Sequence, residues 1–191
     1  MTDIAVFIDR DGTINHDPGY LGDPDHAFLI ENAGKGLAIL KNELGYKIFV
    51  VSNQSGISRG LISRENVDAV NERINELLLK DGAGIDKFYY CPHHPDFSPD
   101  AECSCRKPLT GMIERAAKEF DIDLSRSFMI GDSKSDIECG KNAGLRTILV
   151  KTGNGIEHFD ILRLQNNLPD YISENLYEAC IKIKELTQLE N

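Results

Sequence analysis

The chain is built from short apolar runs that each end in polar residues, with helix-spaced stretches between them. Ile4–Ile8, Lys47–Val51, Lys87–Tyr90, Phe128–Ile130 and Leu145–Val150 read as strands bounded by turn signals. Ala33, Leu37, Leu40 and Leu44 recur at helical spacing and stop at Gly45. Val67, Val70, Ile74 and Leu77 do the same behind Ser63, a candidate N-cap. Thr110–Phe120, a short segment after Asp132, and Glu174–Leu186 supply further helices, the last with Leu176, Ala179, Ile183 and Leu186 on one face. Such alternation predicts an α/β fold, a Rossmann-like three-layer sandwich with a mainly parallel sheet covered on both faces. No linker, repeat or low-complexity run breaks the pattern, so residues 1–191 read as a single domain.

The formal net charge of −10 argues against nucleic-acid binding, which calls for a basic face. It leaves a phosphorylated substrate open, since a few local cations hold one. No apolar stretch approaches the ~20 residues of a membrane span, and Met1-Thr2-Asp3 lacks the basic region of a signal peptide. The expectation is a cytoplasmic, monomeric protein acting on a small molecule.

In a parallel sheet all strand ends lie on one side, where ligands bind. Asp9 and Asp11 follow the first strand, Ser52 and Asn53 the second, and Asp132 the fourth, with Asp136 four residues on. Arg106 and Lys107 precede the helix that leads to the fourth strand. Two carboxylates as close as Asp9 and Asp11 repel, so each needs a cation or one must hold a proton. Asp and Gly also make ordinary strand-end turns, and Ser-Asn often caps a helix. The joint placement points to a phosphate and divalent-metal site.

Of the five cysteines, Cys103 and Cys105 are separated by one residue, and Cys91-Pro92-His93 stands upstream across a proline-rich loop. Cys91, His93, Cys103 and Cys105 make a Cys₃His set suited to closed, structural Zn²⁺, with His94 a competing ligand for His93. Such a site would fix the loop that delivers Arg106 and Lys107. Cys139 and Cys180 fall on apolar helix positions and read as core.

Together these segments resemble the haloacid-dehalogenase (HAD) superfamily of phosphatases over nearly the whole chain. Asp9-Arg10-Asp11-Gly12-Thr13 is similar to its first motif, Ser52 to the second, Lys107 to the third, and Gly131-Asp132-Ser133-Lys134-Ser135-Asp136 to the fourth. The resemblance implies that Asp9 is the nucleophile and becomes a phosphoaspartate, while Asp11 is the general acid/base. It implies Mg²⁺ held by Asp9, the backbone carbonyl of Asp11 and Asp132, with Ser52 and Lys107 stabilising the phosphoryl group. Asp136 either reaches the metal through water, orients Lys107, or is a first-turn acid of its helix.

Cys-Pro-His-His-Pro followed by Cys-x-Cys-Arg-Lys-Pro narrows the resemblance to the subfamily of D,D-heptose 1,7-bisphosphate phosphatases and histidinol-phosphate phosphatases. The heptose branch is favoured by Asn15–Tyr20, which places Asp17, Gly19 and Tyr20 at the substrate. Ser52–Gly60 likewise places Asn53, Gln54 and Ser55 there, and the Pro92–Glu102 loop has the longer form. That branch removes the 7-phosphate of D-glycero-D-manno-heptose 1,7-bisphosphate to give heptose 1-phosphate, a precursor of bacterial nucleotide-heptose and surface polysaccharide. Arg59 and Arg106 are candidate cations for the phosphate that stays. After Asp132 the positive charge falls on Lys134 rather than on Ser133, where the family often carries it, so the resemblance assigns neither residue to the substrate. No cap domain is inserted between the first two strands or after the second. The rival readings are histidinol-phosphate hydrolysis and a zinc-stabilised binding module without catalysis.

Overall fold

The computed structural model describes residues 2–98 and 103–189; residues 99–102, within the proline-rich insert, lie outside the described residues, and with them part of the longer Pro92–Glu102 loop. Strands β1 (Ala5–Ile8), β2 (Lys47–Asn53), β3 (Lys87–Cys91), β4 (Phe128–Gly131), β5 (Arg146–Val150) and β6 (Tyr171–Ser173) form one sheet of order β3-β2-β1-β4-β5-β6. Every neighbouring pair is parallel. The crossovers are α1 (Ala33–Ala38), α2 (Arg64–Leu79), α3 (Gly111–Phe120), α4 (Lys134–Asn142) and α5 (Gly155–Leu164), and α6 (Leu176–Leu189) follows β6.

Alternation along each strand sends side chains to opposite faces. Val6 and Ile8 join Ile48, Val50, Ile130 and Ile148 beneath Leu37 of α1, Ile74 of α2 and Ile183 of α6. Ala5 and Phe7 join Phe49, Val51 and Met129 beneath Met112, Ile113 and Ala116 of α3 and Cys139 of α4. The Phe7 and Phe49 rings meet at 5.5 Å, and Phe120 closes on Phe49 at 4.9 Å. Fully burying an aliphatic or aromatic side chain of this size contributes about 1.5–3 kcal/mol. The result is the expected α/β three-layer sandwich. Between β1 and β2 lie only a loop, one 3₁₀ turn, α1 and the π turn Ile39–Glu43, and between β2 and β3 only a turn and α2, so no cap domain is inserted there.

The expected helices differ in detail. Gly45 ends the first at φ +72°, but its last turn, Ile39–Glu43, widens to π geometry. In α2 the buried stripe ends on Leu78, not Leu77. Eleven residues from Val67 complete three turns almost in phase, whereas ten fall about 80° short. Ser63 caps α2 and forms a reciprocal capping box with Asn66. Helix α5 and strand β6 have no counterpart in the sequence reading. Only Gly155 and Leu162 of α5 are buried, so it lacks a wide apolar stripe, and β6 has just three residues. None of the described helices is long and apolar enough to cross a membrane.

The strand order reverses between β1 and β4. Connections leave these neighbours toward opposite faces of the sheet, so a crevice opens beyond their carboxyl ends. The Asp9 N–H donates to the Ile130 carbonyl at 2.9 Å, setting the residue that follows β1 directly beside the end of β4.

Candidate active site

Asp9 and Asp132 enter this crevice from β1 and β4, and α4 brings Asp136 beneath them. Carboxylate oxygens of all three lie within 4.8 Å of one another. Lys107 reaches in from the loop before α3, its ammonium 2.6 Å from Asp9 Oδ1 and 2.6 Å from Asp136 Oδ1. It also donates to the Val51 carbonyl at the end of β2. The Asn53 amide brackets the Lys107 backbone, accepting from its N–H at 3.0 Å and donating to its carbonyl at 3.2 Å. The loop cation is thus registered against β2 by a side chain on the strand itself. Two of the three readings of Asp136 hold together: it orients Lys107, and it is an acid of the first turn of α4. Its other oxygen accepts from the Ser133 N–H and Oγ, closing the capping box of α4.

These groups are nearly dry, which sets their electrostatics. Burial pushes the Asp9 carboxyl well above the usual range; Lys107 pulls it back, and Asp136, Asp132 and Asp11 push it up again. Asp132 is pushed up to about 7, by burial first and then by Asp136. Burial lowers Lys107, but Asp136 and Asp9 more than offset this and hold it above its ordinary value. The crevice therefore carries more negative charge than its one ammonium balances. A hard dication bound among oxygen donors is the group that fits such a set.

Asp11 lies outside the carboxylate cluster. Its oxygens accept from Arg10 Nη2 at 2.9 Å, Asn15 Nδ2 at 2.9 Å and Gln54 Nε2 at 2.8 Å. Arg10 is itself fully buried and tied to Asn71 of α2 at 3.0 Å. The sequence reading assigned nothing to this arginine, although its place between the two aspartates was a signal. Gln54 donates to Ser52 Oγ as well, at 2.8 Å, so the hydroxyl hydrogen of Ser52 stays free to point into the crevice.

The cavity above Asp9 has a volume of about 390 Å³. Asp11, Ser52, Lys107 and Asp132 line it, and so do Asp17, Gly19, Tyr20, Asn53, Gln54 and Ser55. Arg59 and Arg106 are not among its walls. Arg106 Nη1 instead donates to the His93 carbonyl at 3.0 Å. After Asp132 it is Ser133 and Ser135 that face the cavity; the Lys134 ammonium pairs with Glu138 at 3.5 Å on α4.

The loop after β5 supplies residues the sequence reading missed. The Asn154 N–H donates to Asp132 Oδ2 at 2.8 Å. That oxygen is wedged between Gly12 and Gly153, both at positive φ, where an added Cβ would stand 2.3 Å and 2.1 Å from it. Thr152-Gly153-Asn154-Gly155 is a glycine-rich turn at a strand end, the same positional signal that marked the other three strand-end clusters.

The Cys/His set also converges. Cys91, His93, Cys103 and Cys105 place one ligand atom each within 4.8 Å of the others. Sulfur pairs lie 3.4–3.5 Å apart, and His93 Nδ1 is 3.8 Å from Cys91 Sγ and Cys105 Sγ. Sulfurs about 2.3 Å from a tetrahedral zinc stand about 3.8 Å apart, so four ligands at these spacings fit around one ion. Burial raises the Cys91 and Cys105 thiols, a penalty a cation removes. Cys139 and Cys180 are buried core residues away from it.

The HAD-hydrolase-like family model matches residues 104–179. D-glycero-D-manno-heptose-1,7-bisphosphate 7-phosphatase of Chlorobaculum tepidum is 40% identical over 184 residues, covering 92% of this chain and 91% of that protein. D-glycero-beta-D-manno-heptose-1,7-bisphosphate 7-phosphatase of Haemophilus ducreyi is 42% identical over 156 residues, covering 80% and 85%. The crystal structure of D,D-heptose 1,7-bisphosphate phosphatase from B. bronchiseptica, complexed with magnesium and phosphate, superposes with a TM-score of 0.83 at 30% identity, covering 97% of this chain and 99% of that one. With relatives this similar along so much of its length, the chain belongs to the D-glycero-D-manno-heptose-1,7-bisphosphate 7-phosphatase family of HAD-like hydrolases.

Proposed function

We propose that this chain is a Mg²⁺-dependent phosphatase that removes the 7-phosphate of D-glycero-D-manno-heptose 1,7-bisphosphate and leaves heptose 1-phosphate. The observation that carries this reading is Lys107 spanning Asp9 and Asp136 beside Asp132, at the point where the strand order reverses. Asp9 is the nucleophile. Its Oδ1 is held by Lys107, while Oδ2 has no partner among the described residues. Asp9 Oδ2 forms a bond to phosphorus as the ester P–O bond breaks, and Asp11 gives its proton to the departing sugar oxygen. Asp11 then takes a proton from water, whose oxygen attacks the phosphoaspartate and restores Asp9.

Ser52 and Lys107 donate to the phosphoryl oxygens, and the charge of Lys107 reduces repulsion between the Asp9 carboxylate and an anionic phosphate. Mg²⁺ would be held by Asp9, the Asp11 carbonyl and Asp132, and supplies further neutralisation of the phosphoryl charge. Asp17, Gly19, Tyr20, Asn53, Gln54 and Ser55 contact the sugar. The cavity walls offer one ammonium against the carboxylates of Asp9, Asp11, Asp17 and Asp132, so a dication held there would also offset the repulsion an anionic substrate meets on entry. Zn²⁺ in the Cys₃His set acts structurally, since four protein ligands leave no open position. The chain acts as one domain, because its single sheet draws strands from both ends of the sequence.

Phosphate release from the bisphosphate, measured with Mg²⁺ and with EDTA beside histidinol phosphate, tests the assignment. Mg²⁺-dependent release from the bisphosphate is expected to dominate. Faster release from histidinol phosphate would overturn the substrate, and no release from either would leave the binding-module reading.

A further inference from the structure

Arg59 lies in the turn after β2, beyond the walls of the cavity, yet it joins two segments distant in sequence. Its Cζ sits 4.8 Å from the Phe97 ring centroid and 5.8 Å from that of Tyr20. Its Nη2 donates to His94 Nε2 at 2.8 Å. His94 and Phe97, packed edge to face at 5.3 Å, belong to the loop that carries the metal-ligating His93. Tyr20 belongs to the loop after β1 and lines the cavity. It rests on the turn that bears Arg59, so closely that a Cβ at Gly56 would come 2.7 Å from Tyr20 Cδ1. A planar, permanently charged guanidinium stacks on rings and donates from its edge at the same time; an ammonium has no such plane.

We propose that Arg59 is a positioning residue that fastens the Asp17–Tyr20 arm, a wall of the substrate cleft, to the His93–Ser98 arm behind it. Through it the metal-bearing loop sets the grip of a cleft it does not itself line. The inference rests on the phosphatase reading for its kinetic consequences only; the fastening itself is a property of the free protein. Arg59 Nε is buried without a partner among the described residues. A direct contact from it to the phosphate that stays on the sugar is the competing outcome.

The test compares the bisphosphate with a heptose 7-phosphate that lacks the second phosphate. Arg59→Ala should lower kcat/KM on the order of tenfold on both, carried by KM. Arg59→Lys should recover little of it. Combined with Phe97→Leu, the double variant should be no worse than Arg59→Ala alone, because both remove one shared contact. In the substrate-free protein, backbone amide exchange over residues 17–20 and 93–98 should rise together in Arg59→Ala. A loss confined to the bisphosphate and restored by lysine would make Arg59 a phosphate ligand and overturn the proposal. So would multiplicative losses in the double variant, or unchanged exchange in either arm. If the unsubstituted protein released no phosphate, the function would fail while the exchange measurement still decided the fastening.

Discussion

Gly153→Ala should cripple the metal site through a residue that carries no functional group. The new Cβ would stand 2.1 Å from Asp132 Oδ2 and 2.8 Å from the Gly12 Cα. Ordinary non-bonded contact needs another angstrom or more, and the Gly12 backbone blocks one direction of retreat. The Asp132 carboxylate must therefore rotate off the Asn154 N–H that orients it. Loss of such support for a metal-ligating side chain typically lowers metal affinity about 10–100-fold. Alanine at φ +56° adds about 1–2 kcal/mol of backbone strain. Gly144→Ala separates the two effects, since Gly144 has φ +76° but open space around its Cβ position. The assay is titration of Mg²⁺ by calorimetry, with thermal unfolding alongside. Both variants should lose similar stability from strain, and only Gly153→Ala should lose Mg²⁺ affinity. Wild-type affinity in Gly153→Ala would refute the wedge as the device that aims Asp132.

Asp9→Asn should abolish phosphate release with the fold intact, because burial together with Asp136, Asp132 and Asp11 disfavours this carboxylate more than Lys107 favours it; full residual turnover would refute the nucleophile. Asp132 has its folded pKa raised to about 7 from an unfolded value near 4, so the folded state binds the extra proton and this group's stabilisation fades as pH rises through that window. The metal-free wild type should thus match Asp132→Asn near pH 4 and fall below it by pH 8, at about 1.4 kcal/mol for each pH unit between the two values; a gap independent of pH, followed by denaturant unfolding, would contradict this. Cys103→Ser should reduce zinc content below one per chain, measured by elemental analysis, and lower activity through the displaced Lys107 loop. One tightly held zinc in that variant would show the ligand set to be wrong.

Much was legible because apolar periodicity reports locally on burial. The strand and helix alternation made a parallel sheet, and a parallel sheet gathers strand-end residues on one edge whatever the details. That is why Asp9, Ser52, Lys107 and Asp132 could be brought together from spacing alone. Helix α5 and strand β6 escaped because one buries only a narrow line and the other is too short to show a period.

The sequence by itself determined the layers, the edge where polar groups collect, and the donor types of two metal-binding sets. Only the tertiary structure decided which groups touch: Asp136 on Lys107 as well as on its own helix cap, Asp11 on buried Arg10, Gly153 against Asp132, and Arg59 between two loops. The reason is physical. Periodicity along a chain records which face is apolar, whereas contacts between strand-end loops depend on the order and register in which strands pair, and those are fixed only when both faces of the sheet are covered at once.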